Sequence, residues 1–129
     1  MKLKSIIVAL GVVLLVPSVS YPANWQYVGG SKSGKHYIDV DSIQDNTKNH
    51  EIKFWTKAVL PDGSYVKGLV ICNYKEKTYI SLQEVQYDKE GNVITSYNHI
   101  EDWGNKQHII PDSSFEALLE AALSFIDGR

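Results

Sequence analysis

Apolar and polar positions alternate from residue 50 to 60: Ile52, Phe54, Thr56 and Ala58 share one side, and Glu51, Lys53, Trp55 and Lys57 the other. That period of two marks a strand with one buried and one solvated face. Segments of similar character, rich in β-branched and aromatic residues, lie near 24–28, 35–39, 65–73, 77–87 and 92–98. They are separated by turn-forming stretches: GGSKSGK at 29–35, DNTKN at 45–49, PDGS at 61–64, NYKEK at 73–77 and DKEGN at 88–92. Short strands punctuated this regularly predict an antiparallel meander of about six strands. The GGSKSGK stretch reads as a flexible hairpin connection.

The period changes near the C-terminus. Phe115, Leu118, Leu119, Ala122 and Ile126 recur at helical spacing. Ser113 and Glu116 have the spacing of a capping box, in which each side chain satisfies the other's free backbone N–H. Pro111 before the stripe and Gly128 after it supply start and stop signals. An amphipathic helix over 113–127 is expected to pack on one sheet face, giving an α+β domain in which part of the sheet stays uncovered.

The first residues follow a different rule. Lys2 and Lys4 flank an apolar run from Ser5 to Val16, twelve residues long, where a membrane-spanning helix needs roughly 20. This is the pattern of a secretory signal peptide over residues 1–20, cleaved after Ser20, with Ala23 as the alternative. It leaves a single domain over 21–129 and no stable membrane insertion after cleavage. No cysteine lies in or just after the apolar run, so a lipid anchor is not expected. With Lys2 and Lys4 gone, eleven basic residues face fifteen acidic ones, a net charge of about −4. Such a balance argues against a nucleic-acid partner.

Candidate chemistry is sparse. Residues 37–43, YIDVDSI, place two aspartates one residue apart. Counted as an EF-hand loop from Asp39, however, Ile43, Gln44 and His50 occupy positions five, six and twelve, where oxygen ligands and a glycine belong. The stretch reads instead as structural punctuation: Asp39 ends a strand, Asp41 or Ser42 opens a short helical turn by accepting backbone N–H bonds, and Ile43 turns inward. His36, His50, His99 and His108 have no metal-ligand spacing. No nucleophile elbow is present, and the glycines at 29–34 precede a strand where a phosphate loop would precede a helix. The helix has no basic face for a membrane surface. No catalytic residue, cofactor or metal is therefore assigned.

Cys72 is the lone cysteine of the chain. A buried inert thiol, an intermolecular disulfide and a reactive group all remain open. Trp25, Tyr27, Tyr37, Trp55, Tyr65, Tyr79, Tyr87 and Tyr97 all fall in predicted strands, and their parities put several on one face. That face is either a partner surface or is folded over as a second small core. Trp55, Trp103, Tyr79 and Tyr97 are the candidate protein-binding residues.

Several short motifs in order carry a resemblance. They are Asn24-Trp25-Gln26-Tyr27-Val28, Tyr37-Ile38-Asp39 with Ser42-Ile43, a strand ending at Cys72, Tyr87-Asp88 with Gly91-Asn92-Val93 and Ser96, and then Trp103 and Ile110-Pro111 with Ser113. In this order the chain resembles the surface-adhesin protein E family of bacterial exported domains. The resemblance implies an antiparallel sheet with a C-terminal helix, and attachment to host extracellular proteins. The family pattern pairs the counterpart of Cys72 with a cysteine near the chain end, but Ser124 to Arg129 contain none. The resulting expectation is a non-enzymatic, adhesin-like binding module of the envelope or exterior, in periplasm, cell surface or medium. Its partner would be a protein such as a host matrix or serum protein, with a homodimer left open. The alternative is a small periplasmic ligand-binding protein or enzyme with a pocket between helix and sheet, lined by His36, His99 and Asp39.

Overall fold

A computed structural model describes residues 23–98 and 106–127. Six strands form an antiparallel sheet in the order β1 (Trp25–Ser31), β2 (Gly34–Asp39), β4 (Glu51–Val59), β5 (Tyr65–Asn73), β6 (Thr78–Tyr87) and β7 (Val93–Asn98). Two short strands complete it: β3 (Gln44–Asn46) pairs with β4, and β8 (Gln107–His108) pairs with β6. Among the described residues there is one α-helix, α1 (Ser114–Asp127), which follows the sheet. The predicted α+β meander with a C-terminal helix is therefore the fold. The predicted signal peptide, Trp103, His99 and Gly128 lie outside the described residues.

The turns explain the register. In both longer hairpin loops an aspartate clamps the backbone and a glycine takes a left-handed conformation. Asp62 Oδ1 accepts from the Ser64 N–H at 2.9 Å, with Gly63 at φ 91°. Asp88 Oδ1 accepts from the N–H groups of Glu90 at 3.0 Å and Asn92 at 2.8 Å, with Gly91 at φ 90°. The GGSKSGK stretch differs from expectation, because β1 continues through Gly29, Gly30 and Ser31 and only Lys32 and Ser33 form the turn. Glycine is needed just after it: a Cβ on Gly34 would lie 2.8 Å from the Val59 carbonyl oxygen of β4.

The helix buries the predicted stripe. Leu118, Leu119, Ala122 and Ile126 pack with Ile38, Ile52, Phe54, Val70, Cys72 and Ile109, while Phe115 lies at the margin of this core. The cap departs from a reciprocal box. Ser113 Oγ accepts from the Glu116 N–H at 3.2 Å, but Glu116 Oε1 takes the N–H of Asp112 at 3.0 Å, because Asp112 is left-handed at φ 63° and turns its N–H toward the helix. The helix lies over β1, β2 and β4, so the inner face of the later strands is left partly open.

Candidate functional site

Directly opposed residues of antiparallel strands share a face, so the register fixes what each side presents. Ile52 opposes Cys72, Phe54 opposes Val70 and Thr56 opposes Gly68, which defines the helix side. On the outer side Tyr27 opposes Tyr37, Tyr37 opposes Lys57, Lys57 opposes Lys67 and Lys67 opposes Val85. The neighbouring row runs from Lys35 through Val59 and Tyr65 to Tyr87. Trp25, two residues before Tyr27, stands on the same side opposite Asp39.

These side chains form one cluster. The Lys57 ammonium lies 4.9 Å from the Trp25 ring centroid, 5.4 Å from Tyr37 and 5.8 Å from Tyr65. Lys67 lies 5.9 Å from Trp25, 5.9 Å from Tyr65 and 5.1 Å from Tyr87. Tyr65 and Tyr87 stack at 4.7 Å, and Tyr27 meets Tyr37 edge-on at 5.6 Å. All of these separations fall in the range of cation–π and aromatic attraction. Partial burial, and then the charge of Lys67, holds Lys57 below the ordinary lysine value. Among the described residues neither ammonium makes an ion pair.

The same face closes toward its other end. Ile80 opposes Ile71 and is 8% exposed, and Leu82 is 4% exposed. Both lie outside the core beneath the helix. Trp55 opposes Leu69 on this side and is half-buried. Both alternatives for the strand aromatics thus apply in part: one end of the face is closed, and the other carries two lysines framed by rings.

The three predicted binding residues that are described, Trp55, Tyr79 and Tyr97, do not come together. Trp55 is on the outer face, but Tyr79 opposes Cys72 on the helix side, where its ring stacks on Phe115 at 4.1 Å. Tyr97 opposes Glu84, also on the helix side, and is 49% exposed. Trp103 is outside the described residues. Trp25, Tyr37, Tyr65 and Tyr87 are the rings that converge, and the signal that could have found them was the pair of lysines at equivalent outward positions of two strands.

A second concavity lies between the helix and the sheet. It is a cleft of about 580 Å³ lined by His36, Thr56, Tyr79, Glu84, Gln107 and Ser113, among others. Of the residues expected in such a pocket, His36 is there and His99 is outside the described residues. Asp39 is engaged elsewhere: its Oδ1 accepts from the N–H of Asn24 at 2.9 Å and of Asp41 at 3.2 Å. Asp39 is thus the cap of the 3-10 turn Val40–Ser42, in place of Asp41 or Ser42. Ser42 does a different job, accepting the Trp55 N–H at 2.9 Å and donating to the Asp39 carbonyl at 2.7 Å. Ile43 packs inward against the core as expected.

Cys72 is fully buried, and loss of hydration pushes its thiol up to about 12. An intermolecular disulfide or a reactive thiolate at this position is incompatible with that environment. His50 sits in a left-handed turn with its ring edge-on to Tyr74, and His108 is in β8. Compared with protein families, curated proteins and solved structures, the chain matches none.

Proposed function

We propose that this chain is an exported, non-enzymatic binding module of the adhesin type, which engages a protein partner through the outer face of its sheet. The observation that carries this is the cluster of Lys57 and Lys67 within Trp25, Tyr37, Tyr65 and Tyr87, on a face the helix does not cover. Tyr and Trp bring large contact area with few rotatable bonds, which is why they concentrate in binding surfaces. Tyr27, 60% exposed at the margin of the cluster, offers a further ring to a partner. A host matrix or serum protein, met outside the envelope, is the proposed partner. A small ligand in the helix–sheet cleft is the alternative, favoured by the polar residues that line it.

The test has two stages. Protease treatment of intact producing cells should remove the protein while a periplasmic control survives, unless the protein is already in the medium. The purified exported chain is then applied to immobilised matrix and serum proteins, beside the Tyr27→Ser and Tyr87→Ser variants. Saturable binding weakened about tenfold or more by either substitution is expected. Protection from protease alongside the control, or binding indifferent to both tyrosines, would refute the proposal. Binding lost on His36→Ala alone would shift the function to the cleft.

A further inference from the structure

We propose that Lys57 and Lys67 form a paired-ammonium seat for the carboxylates of an acidic, extended polypeptide segment on the partner. This deepens the outer-face function proposed above and rests on it. Four observations lead to this occupant.

The first is the register. Lys57 and Lys67 stand directly opposite one another on adjacent strands, an arrangement that destabilises a sheet. A face built for stability alone would set an acid opposite one of them. The rings soften the repulsion, since each lysine lies against three of them, but they do not neutralise charge. An anion lying between the two ammoniums would.

The second is the absence of an internal counter-ion among the described residues. Among the described residues neither lysine has an acidic partner. Asp39, beside Trp25 in the register, directs its Oδ1 to the backbone N–H groups of Asn24 and Asp41.

The third decides between sugar and peptide. Aromatic residues on a flat sheet face can stack against pyranose rings, but here the lysine ammoniums lie over the faces of Trp25, Tyr37, Tyr65 and Tyr87. With those faces occupied, the rings act as a frame and the charges are what is presented. The fourth is net charge. The chain carries −2 overall, so polyanions of high charge density, such as nucleic acid or sulfated glycan, meet a repulsive field beyond the local pair. A short segment with a few carboxylates meets a much weaker repulsion. In an extended chain, side chains two residues apart point the same way at about 6.6–6.8 Å. Two flexible lysines rooted about 5 Å apart across neighbouring strands can straddle that spacing.

The test uses the full exported chain and a fluorescein-labelled peptide of alternating glutamate and threonine, read by fluorescence anisotropy at two salt concentrations. Saturable binding that weakens with salt is expected, with a loss of about tenfold for Lys57→Gln or Lys67→Gln, equivalent to about 1.4 kcal/mol. Lys57→Arg should bind, and Lys77→Gln, whose lysine pairs with Glu120 on the helix, should match the parent chain. Thermal melts show that each variant is folded, and Lys57→Arg keeps the test valid if a glutamine variant is not. The proposal is overturned if the glutamate peptide fails to bind the parent chain, if a glutamine–threonine peptide binds equally, or if either glutamine variant binds as the parent does. Heparin binding tighter than the peptide through the same lysines would also overturn it, assigning the seat to a sulfated glycan. Failure here is distinguishable from failure of the broader function. If partner binding falls with Tyr27→Ser or Tyr87→Ser but not with Lys57→Gln or Lys67→Gln, only the lysine seat is wrong.

Discussion

Ser42→Ala tests whether one hydroxyl repairs a break in the edge of β4. That edge is shared: β2 pairs with it from Thr56 to Val59, and β3 from Glu51 to Lys53. Trp55 falls in the gap, and its N–H is taken by Ser42 Oγ at 2.9 Å, while the same hydroxyl donates to the Asp39 carbonyl at 2.7 Å. Alanine removes both bonds and offers no replacement acceptor. A backbone N–H left unpaired in a buried setting costs about 1–3 kcal/mol. Because Ser42 is only part-buried, the lower part of that range applies, about 1–2 kcal/mol, or a fall in Tm of roughly 5–15 °C for a domain of this size. Urea denaturation gives the stability, and amide hydrogen exchange localises it: Trp55 should lose protection beyond the global change. Ser42→Thr, which keeps the hydroxyl, should stay near the parent. A stability change under about 0.5 kcal/mol, the ordinary range of an inconsequential surface substitution, with the Trp55 amide still protected, would show that the hydroxyl is not what closes the gap.

Cys72 should resist alkylation by iodoacetamide at mildly alkaline pH in the native protein and react once urea unfolds it; rapid native modification would contradict its burial and its raised thiol value of about 12. Asp88 predicts a pH effect. Its hydrogen bonds from Asn92 hold its carboxyl below the ordinary aspartate value, so it contributes stability that is present above its unfolded pKa and lost as pH falls through the lower folded one. Urea midpoints measured through the acid range should therefore decline less steeply for Asp88→Asn than for the parent, and identical profiles would refute the assignment.

The long strands and the helix were legible because each has a clear period and a large apolar share. β3 and β8 were not, since Gln44-Asp45-Asn46 and Gln107-His108 lack any strand-forming composition. They exist because β4 and β6 are longer than their principal outer neighbours, leaving backbone groups at Glu51–Lys53 and Thr78–Tyr79 that need partners. The aromatic site was half legible. Tyr79 and Tyr87 are eight residues apart in one strand and by simple alternation would share a face. A bulge sets Ser81 opposite Val70 but Gln83 opposite Leu69, so Tyr79 turns to the helix and Tyr87 to the outer face. One inserted residue thus separates a core ring from a surface ring, and nothing in their spacing marks it.

The stretch YIDVDSI connects this backbone detail to the outer cluster. Asp39 holds the Asn24 N–H through its side chain, and the Val40 N–H returns to the Asn24 carbonyl at 3.0 Å. Both bonds fix the chain immediately before Trp25, which with Tyr65 lies within 6 Å of both lysines. Ser42, at the other end of the same turn, fixes the backbone of Trp55 on the neighbouring strand. The two aspartates that resemble a calcium loop in sequence therefore matter through one of them, Asp39, which holds a backbone in place. These anchors act through main chain: Asp39 and Val40 hold Asn24, and Ser42 holds Trp55. Loosening Asp39 would be expected to disturb the lysine frame while leaving the helix packing, on the far side of the sheet, intact.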